Sequence, residues 1–350
     1  MNSKEEKIKR FDPNGVASGK NLYGLPFNEE ESDIIVLPVP WEVTVSYSAG
    51  TARAPKAILE TSKQVDLYDA DVEDAWKRGI FMKKIDKDIL KQSKSLRKKV
   101  VKYLKWFEAG ASEIDKGKQI LDEINASGKS LRNWVKQKML YIISKKKLPV
   151  LLAGDHSTPL GFMEALAQHN PQFGILQIDA HCDLRNAYEG FEFSHASIMF
   201  NALKISQVEK LVQVGIRDYC QEEMDVIQNS NGRVRTFFDA EMKRKMFEGE
   251  TWSSLCDKIV SELPQHIYIS FDIDGLDPKL CPHTGTPVPG GLEFEQAIYL
   301  IKSVVDSGRK IIGCDLNEVS PGDDEWDANV GARLLYKMCN LMGKSWNRET

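Results

Sequence analysis

The chain has 350 residues, enough for one large or two ordinary domains, and a hydrophobic share of 42% provides apolar material for a packed core. Its 47 Lys and Arg against 51 Asp and Glu give a net charge of −4, which argues against nucleic acid or an anionic membrane surface as a partner. The six cysteines form no C-x-x-C pair, and no apolar run reaches the ~18 residues of a membrane span, so we expect a soluble, cytoplasmic protein with reduced thiols.

Short apolar runs that each end in polar residues recur along the chain, which is typical of buried parallel strands. Seven strands of this kind are predicted, at 34–39, 150–152, 174–178, 210–214, 234–237, 267–271 and 311–316. The stretches between them are long enough for crossover helices. The sequence therefore predicts one α/β domain over 1–350, built on a doubly wound sheet.

The span from about 81 to 144 is different, because it is rich in Lys and has apolar residues at helical spacing. These residues are Ile89, Leu96, Val100, Leu104 and Phe107. We interpret the span as a helical insertion within the domain. Its basic face could indicate nucleic-acid binding, but in an acidic protein a solvated helix face is the simpler interpretation, and we assign it no catalytic role.

Ionisable residues follow three of the predicted strands, in the segments 154–157, 179–183 and 272–278. Residues i, i+2 and i+4 of an extended segment point the same way, so the acids and histidine of D-A-H-C-D can converge, as can the two acids of D-I-D. The candidate metal ligands are His156, Asp179, His181, Asp183, Asp272 and Asp274. Such a mixed nitrogen and oxygen set suits borderline or hard divalent ions, and bridging carboxylates imply two of them.

A single D-x-D at the end of a strand is common in loops and caps, and alone it would be weak evidence of a metal site. The combination is more specific, because unpaired carboxylates beside a low-dielectric core are unfavourable by several kcal/mol each. A bound cation would supply the missing positive charge.

These segments resemble the ureohydrolase family, which includes arginase and agmatinase. The matching motifs are A-G-D-H-S at 153–157, D-A-H-C-D at 179–183, S-F-D-I-D-G-L-D-P at 270–278, T-G-T-P-V-P-G-G-L at 284–292 and N-E-V-S-P at 317–321. The resemblance extends from about residue 34 to 335 and leaves the Lys-rich span unexplained. Ala153 stands where the family usually has a glycine.

The resemblance implies a three-layer arginase-like fold with a mostly parallel, eight-stranded sheet, and two metal ions bridged by a hydroxide. Mn²⁺ is the first expectation and Ni²⁺ the alternative. It also implies a homotrimer or homohexamer. Carried over by position, one ion takes His156, Asp179, Asp183 and Asp272, and the other takes Asp179, His181, Asp272 and Asp274.

The chemistry implied by the resemblance is hydrolysis of a guanidinium C–N bond, releasing urea and an amine or ammonia. A guanidinium is resonance-stabilised and always protonated, so its carbon needs a strong, positioned nucleophile and its leaving nitrogen needs a proton. The residues expected to be catalytic are His195, Glu318 and Asp183. His195 resembles the proton-shuttling histidine of the family, and Glu318 can accept from the planar N–H fork of the substrate.

The segment 183–190 is more similar to the agmatinase branch than to arginase, which disfavours L-arginine as substrate. Arg185, Glu318 and Trp326 are the expected substrate-binding residues. Trp326 could cover the pocket and shorten it, which would favour free guanidine over agmatine. Trp41 and Tyr47 are further candidates for the pocket wall, with ordinary aromatic packing as the alternative for all three aromatic residues.

Two other functions remain open at this stage, besides a guanidino-acid hydrolase of the same family. One is a deacetylase-like amidohydrolase that uses a single zinc ion, although His156 and Asp274 supply a second site. The other is an inactive scaffold, although all six ligands are present. Counting the metal ions bound per chain separates these possibilities.

Overall fold

The computed structural model describes residues 3–108 and 114–346. Within them the chain forms one sheet of eight strands in the order β2-β1-β3-β8-β7-β4-β5-β6, and every pairing is parallel. The strands are β1 Ile34–Val39, β2 Ile80–Met82, β3 Leu148–Ala153, β4 Phe173–Ile178, β5 Val208–Ile216, β6 Val234–Phe238, β7 His266–Asp272 and β8 Lys310–Asn317. The seven predicted strands are all present, and the sheet is wholly rather than mostly parallel.

Helices cover both faces of this sheet. They are α1 Lys4–Arg10, α2 Ala54–Thr61, α3 Lys87–Glu108, α4 Ile114–Ser144, α5 Leu160–Ala167, α6 Ile198–Ala202, α7 Gln221–Gln228, α8 Asp239–Phe247, α9 Trp252–Ser261, α10 Phe294–Asp306 and α11 Trp326–Ser345. Alternate residues of β1 join two separate cores: Ile34 and Val36 pack in one, Ile35 and Leu37 in the other. The result is a three-layer α/β domain. None of the helices in the described part of the chain is long and apolar enough to cross a membrane.

The Lys-rich span contains both a strand and two helices. The predicted helical boundary at residue 81 is wrong, because β2 occupies that position as an edge strand and α3 begins only at Lys87. A three-residue strand is too short to show a periodic pattern. Leu96, Val100 and Leu104 of α3 are buried as predicted, whereas Phe107 is 60% exposed.

Parallel pairing determines where the polar segments meet, because all eight strands present their carboxyl ends at the same edge of the sheet. The strands β3, β8, β7 and β4 are consecutive neighbours. The loops that follow them carry the predicted site residues.

The structure has room for a side chain at Ala153 but not at Gly154. Ala153 is buried in the core, where its methyl group packs. A Cβ on Gly154 would lie 1.9 Å from the carbonyl oxygen of Trp41, far inside van der Waals contact. The Gly154 carbonyl also accepts from the backbone N–H of Glu318 at 2.8 Å. Gly154 therefore permits a close backbone approach at the site edge.

We predict that Gly154→Ala lowers the free energy of unfolding by about 3 kcal/mol, because the added methyl meets backbone rather than a movable side chain. Gly117→Ala is the matched control, since a Cβ there would lie 3.9 Å from the Tyr103 ring, in ordinary contact. As a helix-interior glycine, it should gain roughly 0.5–1 kcal/mol on substitution. Urea denaturation measures both changes, and equal midpoints for the two variants would contradict the prediction.

Candidate metal centre

Four neighbouring strands bring the predicted site residues together. His156 follows β3, the D-A-H-C-D segment follows β4, Asp272 ends β7 and Glu318 follows β8. The backbone N–H of His156 donates to Oε1 of Glu318 at 2.9 Å across 162 residues of sequence. The strand order therefore turns scattered motifs into one site.

The first group of potential ligands surrounds His156. Its Nδ1 atom lies 3.2 Å from Oδ2 of Asp179, 3.1 Å from Oδ2 of Asp183 and 3.2 Å from Oδ2 of Asp272. All four side chains are buried. Although three carboxylate oxygens are this close, Nδ1 forms no hydrogen bond of normal geometry.

The second group surrounds His181, whose Nδ1 lies 3.2 Å from Oδ2 of Asp274 and 3.6 Å from Oδ1 of Asp179. Asp179 therefore turns one oxygen toward each histidine. His156, Asp179 and Asp183 form one set with metal-ligand spacing, and Asp179, His181 and Asp274 form another. Asp272 contacts the first histidine through Oδ2, while its Oδ1 accepts the N–H of Asp274 at 3.0 Å.

The buried carboxylates of the site carry more negative charge than the two histidines can offset. Burial raises the pKa of Asp272 well above its usual range, and the neighbouring Asp274 and Asp179 add to the effect. Burial and the charge of Asp179 likewise raise the pKa of Asp183 to about 7. Burial alone would lower the pKa of His156, but interaction with Asp179, Asp183 and Asp272 outweighs it and raises that pKa. Without a cation, the site holds protons that offset its own negative charge.

The donor set fits divalent cations. Two imidazoles and four carboxylates offer nitrogen and oxygen ligands without thiolate, which suits Mn²⁺, Ni²⁺ and similar ions. The Nδ1 atom of His156, buried and without a hydrogen-bond partner, faces the three carboxylates that would share its ion.

A polar network behind His156 fixes which ring nitrogen faces the site. Nε2 of His156 lies 2.9 Å from Oγ of Ser270, which in turn donates to Asp315 at 3.0 Å. Since the hydroxyl proton of Ser270 goes to Asp315, Nε2 must donate and Nδ1 is left facing the carboxylates. Asp315 also accepts from the hydroxyl of Tyr268 and from the amide of Asn317.

Sequence reasoning missed this network, and it also missed Gln177, whose Nε2 donates to Oδ2 of Asp179 at 2.8 Å. The available signal was a polar residue inside an apolar strand. Gln177, Ser270 and Asp315 all lie within predicted parallel strands, and all three are fully buried. A buried polar side chain requires a partner, so such positions point to a site nearby.

A cavity of about 510 Å³ opens beside the two groups of ligands. The residues that line it are Ser46, Tyr47, Ser48, His181, Asp183, Arg185, Tyr188, His195, Ala196, Asp218, Glu223, Gly285, Thr286, Pro287 and Val288. The lining includes His181 of the second group and Asp183 of the first, so a ligand in the cavity can reach both groups. The loops after β1, β4 and β5 and the segment 285–288 form its walls.

His195 lines this cavity. Its backbone N–H donates to Oγ1 of Thr44 at 3.3 Å, and its ring packs edge-on against Tyr188 with 5.8 Å between centroids. Burial lowers the pKa of His195 to about 3, and the positive charges of His181 and His156 add to this effect. The ring is therefore neutral near pH 7.

The side chain of Glu318 is buried, and only one of its two carboxylate oxygens accepts a hydrogen bond within the described part of the chain. Oε1 accepts from the His156 backbone, while Oε2 has no hydrogen-bond partner among the residues that the structure describes. Burial, together with the charges of Asp272 and Asp155, raises the pKa of Glu318 well above its usual range. Its φ of 59° lies in the left-handed region, as does the φ of 56° at Asp183. Such strain in non-glycine residues is typical of functional sites.

The other predicted substrate-binding residues are placed differently from one another. Arg185 lines the cavity, where its guanidinium lies 5.0 Å from the Tyr188 ring and its Nε 3.9 Å from Oε2 of Glu223. Tyr47 also lines the cavity and is 78% exposed. Trp41 is only 2% exposed and packs in the core, so it does not form a wall.

Trp326 does not line this cavity. Its side chain is 47% exposed at the first position of α11, and its indole N–H donates to the carbonyl of Lys279 at 2.9 Å. The closeness of Trp326 to Glu318 in the sequence suggested a place in the pocket, but the sequence could not show which way the loop between them turns. The structure therefore does not bring Trp326 together with the other site residues.

The chain combines a parallel α/β sheet with clustered histidine and aspartate side chains at its central strand ends. It belongs to the Arginase family, whose family model matches residues 32–340. It is accordingly a ureohydrolase, a hydrolase that acts on guanidino compounds. The resemblance stated from the motifs is confirmed.

The chain is similar to several named relatives over most of its length. It is 26% identical to N(1)-aminopropylagmatine ureohydrolase of Synechocystis sp., with 91% of this chain and 92% of that protein covered. It is 25% identical to agmatinase of Bacillus cereus, covering 95% and 99%. It is 32% identical to guanidinobutyrase of Pseudomonas aeruginosa, but over only 60% of this chain and 65% of that protein.

Solved structures share the fold. The agmatine ureohydrolase of Thermoplasma volcanium superposes with a TM-score of 0.71 at 21% identity, covering 99% of this chain and 100% of that one. Arginase from Bacillus cereus superposes with a TM-score of 0.62 at 20% identity, covering 87% and 97%. The expected arginase-like fold is therefore confirmed.

The site electrostatics predict a pH dependence of stability in protein stripped of metal with a chelator. The pKa of Asp183 is about 7 in the folded chain against 3.8 ordinarily, so the folded state binds the extra proton. The resulting stabilisation is fully present below about pH 4 and is lost as pH rises through 7. Asp183→Asn should therefore flatten the pH dependence between these limits and stabilise the metal-free protein at about pH 8.

Urea unfolding of the chelated protein across this pH range tests the prediction. Asp122→Asn, which removes an exposed carboxylate on α4, is the matched control and should follow the wild-type curve. If Asp183→Asn also follows that curve, the carboxylates do not repel one another as the geometry implies.

Proposed function

We propose that this ureohydrolase holds two divalent metal ions and cleaves the guanidinium C–N bond of a small guanidino compound, releasing urea and an amine or ammonia. One observation carries the proposal: two ligand groups share Asp179 directly beside Glu318, a buried carboxylate with one oxygen free for a cation. The family of the chain supports the same chemistry.

The residues that would hold the metal ions are the six predicted ligands. We propose that Asp179 and Asp272 bridge, that His156 and Asp183 complete one site, and that His181 and Asp274 complete the other. Mn²⁺ is the expected metal and Ni²⁺ the alternative, because the same ligands accept both. When bound, two such ions lower the pKa of a water molecule enough to make it a nucleophile at neutral pH.

The residues of the chain then supply positioning and proton transfer. Oε2 of Glu318 accepts N–H groups of the substrate guanidinium, and its Oε1 is held by the His156 backbone, so the carboxylate has a fixed orientation. His195, which lines the cavity, is assigned the transfer of a proton from the attacking water to the departing nitrogen. This accounts for both requirements of the reaction, a held guanidinium and a protonated leaving group.

We propose agmatine or free guanidine as the substrate. The cavity of about 510 Å³ is lined by metal ligands and also by the exposed Tyr47 and Asp218, which leaves room for a substrate tail. The hypothesis of a pocket restricted to free guanidine relied on Trp326 as its cover. Because Trp326 does not cover this cavity, that hypothesis is no longer supported. Agmatine, whose tail carries a positive charge that Asp218 could attract, is the better supported candidate.

A single-zinc amidohydrolase and an inactive scaffold are less well supported. A one-metal enzyme would not need the second set of Asp179, His181 and Asp274. An inactive scaffold would not need to retain all six ligand residues. We further propose that the enzyme assembles as a homotrimer or homohexamer in the cytoplasm.

Paired variants separate metal binding from proton transfer. Asp272→Asn should release at least one metal ion per chain and abolish turnover. His195→Ala should retain both ions and lower kcat by roughly 10²–10⁴-fold, because only proton transfer is lost. Elemental analysis and a urea-release assay, with Mn²⁺ and Ni²⁺ loaded in parallel, measure both properties. Two ions still bound in Asp272→Asn would contradict its role as a ligand.

A second comparison tests which aromatic residue contacts the substrate tail. We expect Trp326→Ala to leave the ratio of kcat/KM for agmatine and free guanidine within about twofold of wild type, because it does not line the cavity. Tyr47→Ala should change that ratio by about fivefold or more, because it does line the cavity. Urea release from both compounds, with 4-guanidinobutyrate, 3-guanidinopropionate and L-arginine alongside, provides the ratios. A large change for Trp326→Ala alone would restore the short-pocket hypothesis.

A further inference from the structure

We propose that the helical hairpin α3–α4 is a positioning element of the active site, which fixes two walls of the substrate cavity from behind. It reaches one wall through Ser93 and Arg97 and the other through Tyr103 and Asn125. The kinetic part of this inference rests on the proposed function, whereas the structural part does not.

The first wall is the loop that follows β1. Oγ of Ser93 accepts the backbone N–H of Glu42 at 3.0 Å. The guanidinium of Arg97 donates to the carbonyl of Val43 at 3.4 Å and also to that of Val45. Positions i and i+4 share one helix face, so both side chains reach the same strip of backbone. The cavity-lining residues 46–48 follow directly.

The same loop connects the hairpin to the reacting centre. The backbone N–H of Thr44 donates to Oδ2 of Asp155 at 3.4 Å, next to His156. Oγ1 of Thr44 accepts from the backbone N–H of His195 at 3.3 Å. Loss of the contacts from Ser93 and Arg97 would therefore loosen the support of His195 as well as the wall itself.

The second wall is the segment before His195. The hydroxyl of Tyr103 donates to the carbonyl of Glu189 at 3.0 Å. Asn125 of α4 donates to the carbonyl of Gly190 at 3.2 Å and accepts from the N–H of Glu192 at 2.9 Å. Arg185 and Tyr188, which line the cavity, precede this segment.

The hairpin can serve as a fixed support because its inner face belongs to the core. Leu96, Val100 and Leu104 of α3 pack there with Val135 and Met139 of α4. The walls it supports reach the surface of the protein at Tyr47, which is 78% exposed. A fixed element behind the loops of a site is one way to hold substrate-binding geometry within the tolerance that catalysis needs.

Hydrogen–deuterium exchange on the full chain tests the structural part without any substrate. Arg97→Gln should raise backbone exchange about tenfold in residues 42–48. Asn125→Ala should raise it in residues 189–193 and leave residues 42–48 close to wild type. Lys98→Gln, an exposed neighbour on α3, is the matched control and should change neither segment. Increased exchange throughout the protein, or none in the named segment, would overturn the proposal.

Kinetics test the functional part. For metal-saturated enzyme, Arg97→Gln should raise KM for agmatine about tenfold and lower kcat less than about threefold, with unchanged metal content. Arg97→Lys, which keeps the charge on a side chain one atom shorter, should recover only part of the affinity. A purely structural role would lower thermal stability without moving KM, and that result would contradict the proposal. If wild type releases no urea from any guanidino compound, the proposed function fails while the exchange data still decide the role of the hairpin.

Discussion

The structure depends on a buried cluster of carboxylates that lacks enough positive charge. Asp179, Asp183, Asp272 and Asp274 lie within a few ångströms of two imidazoles at the edge of a low-dielectric core. Such a cluster is unfavourable for folding unless protons or cations offset it. The raised pKa values of Asp183, Asp272 and His156 mean that bound protons offset the negative charge when no metal is present. Bound metal ions would offset it instead.

The parallel sheet is what makes the cluster possible. Because β3, β8, β7 and β4 are neighbours with their carboxyl ends together, each needs only one to three ionisable residues to build the whole site. The interior of the same strands then orients the ligands: Ser270 and Asp315 fix the ring of His156, and Gln177 holds Asp179. Rigid strands thus set the ligand geometry, while the loops beyond them set what the cavity admits.

The sequence allowed most of the fold and the ligand set to be predicted, because each rests on local patterns. Apolar runs identified seven strands, and D-x-H-x-D and D-x-D spacing indicated which side chains could converge. It could not reveal β2, which is a three-residue edge strand, or the direction of Trp326, which depends on a loop stabilised by Lys279 far away in sequence. The contacts of Arg97 were equally hidden, since the helical period of α3 shows which face is buried but not which backbone it meets.

The Lys-rich hairpin shows how one helical pattern can serve two purposes. Its apolar positions anchor α3 and α4 in the core, and its lysines keep the outer face in water. Between these faces, Ser93 and Arg97 carry hydrogen bonds to the loop that holds Thr44, which in turn supports His195. A basic helix in this position therefore needs no nucleic-acid partner to explain its polar residues. The buried pattern secures the helix, and the few polar residues at its inner margin connect that secure element to the loops around the reacting centre.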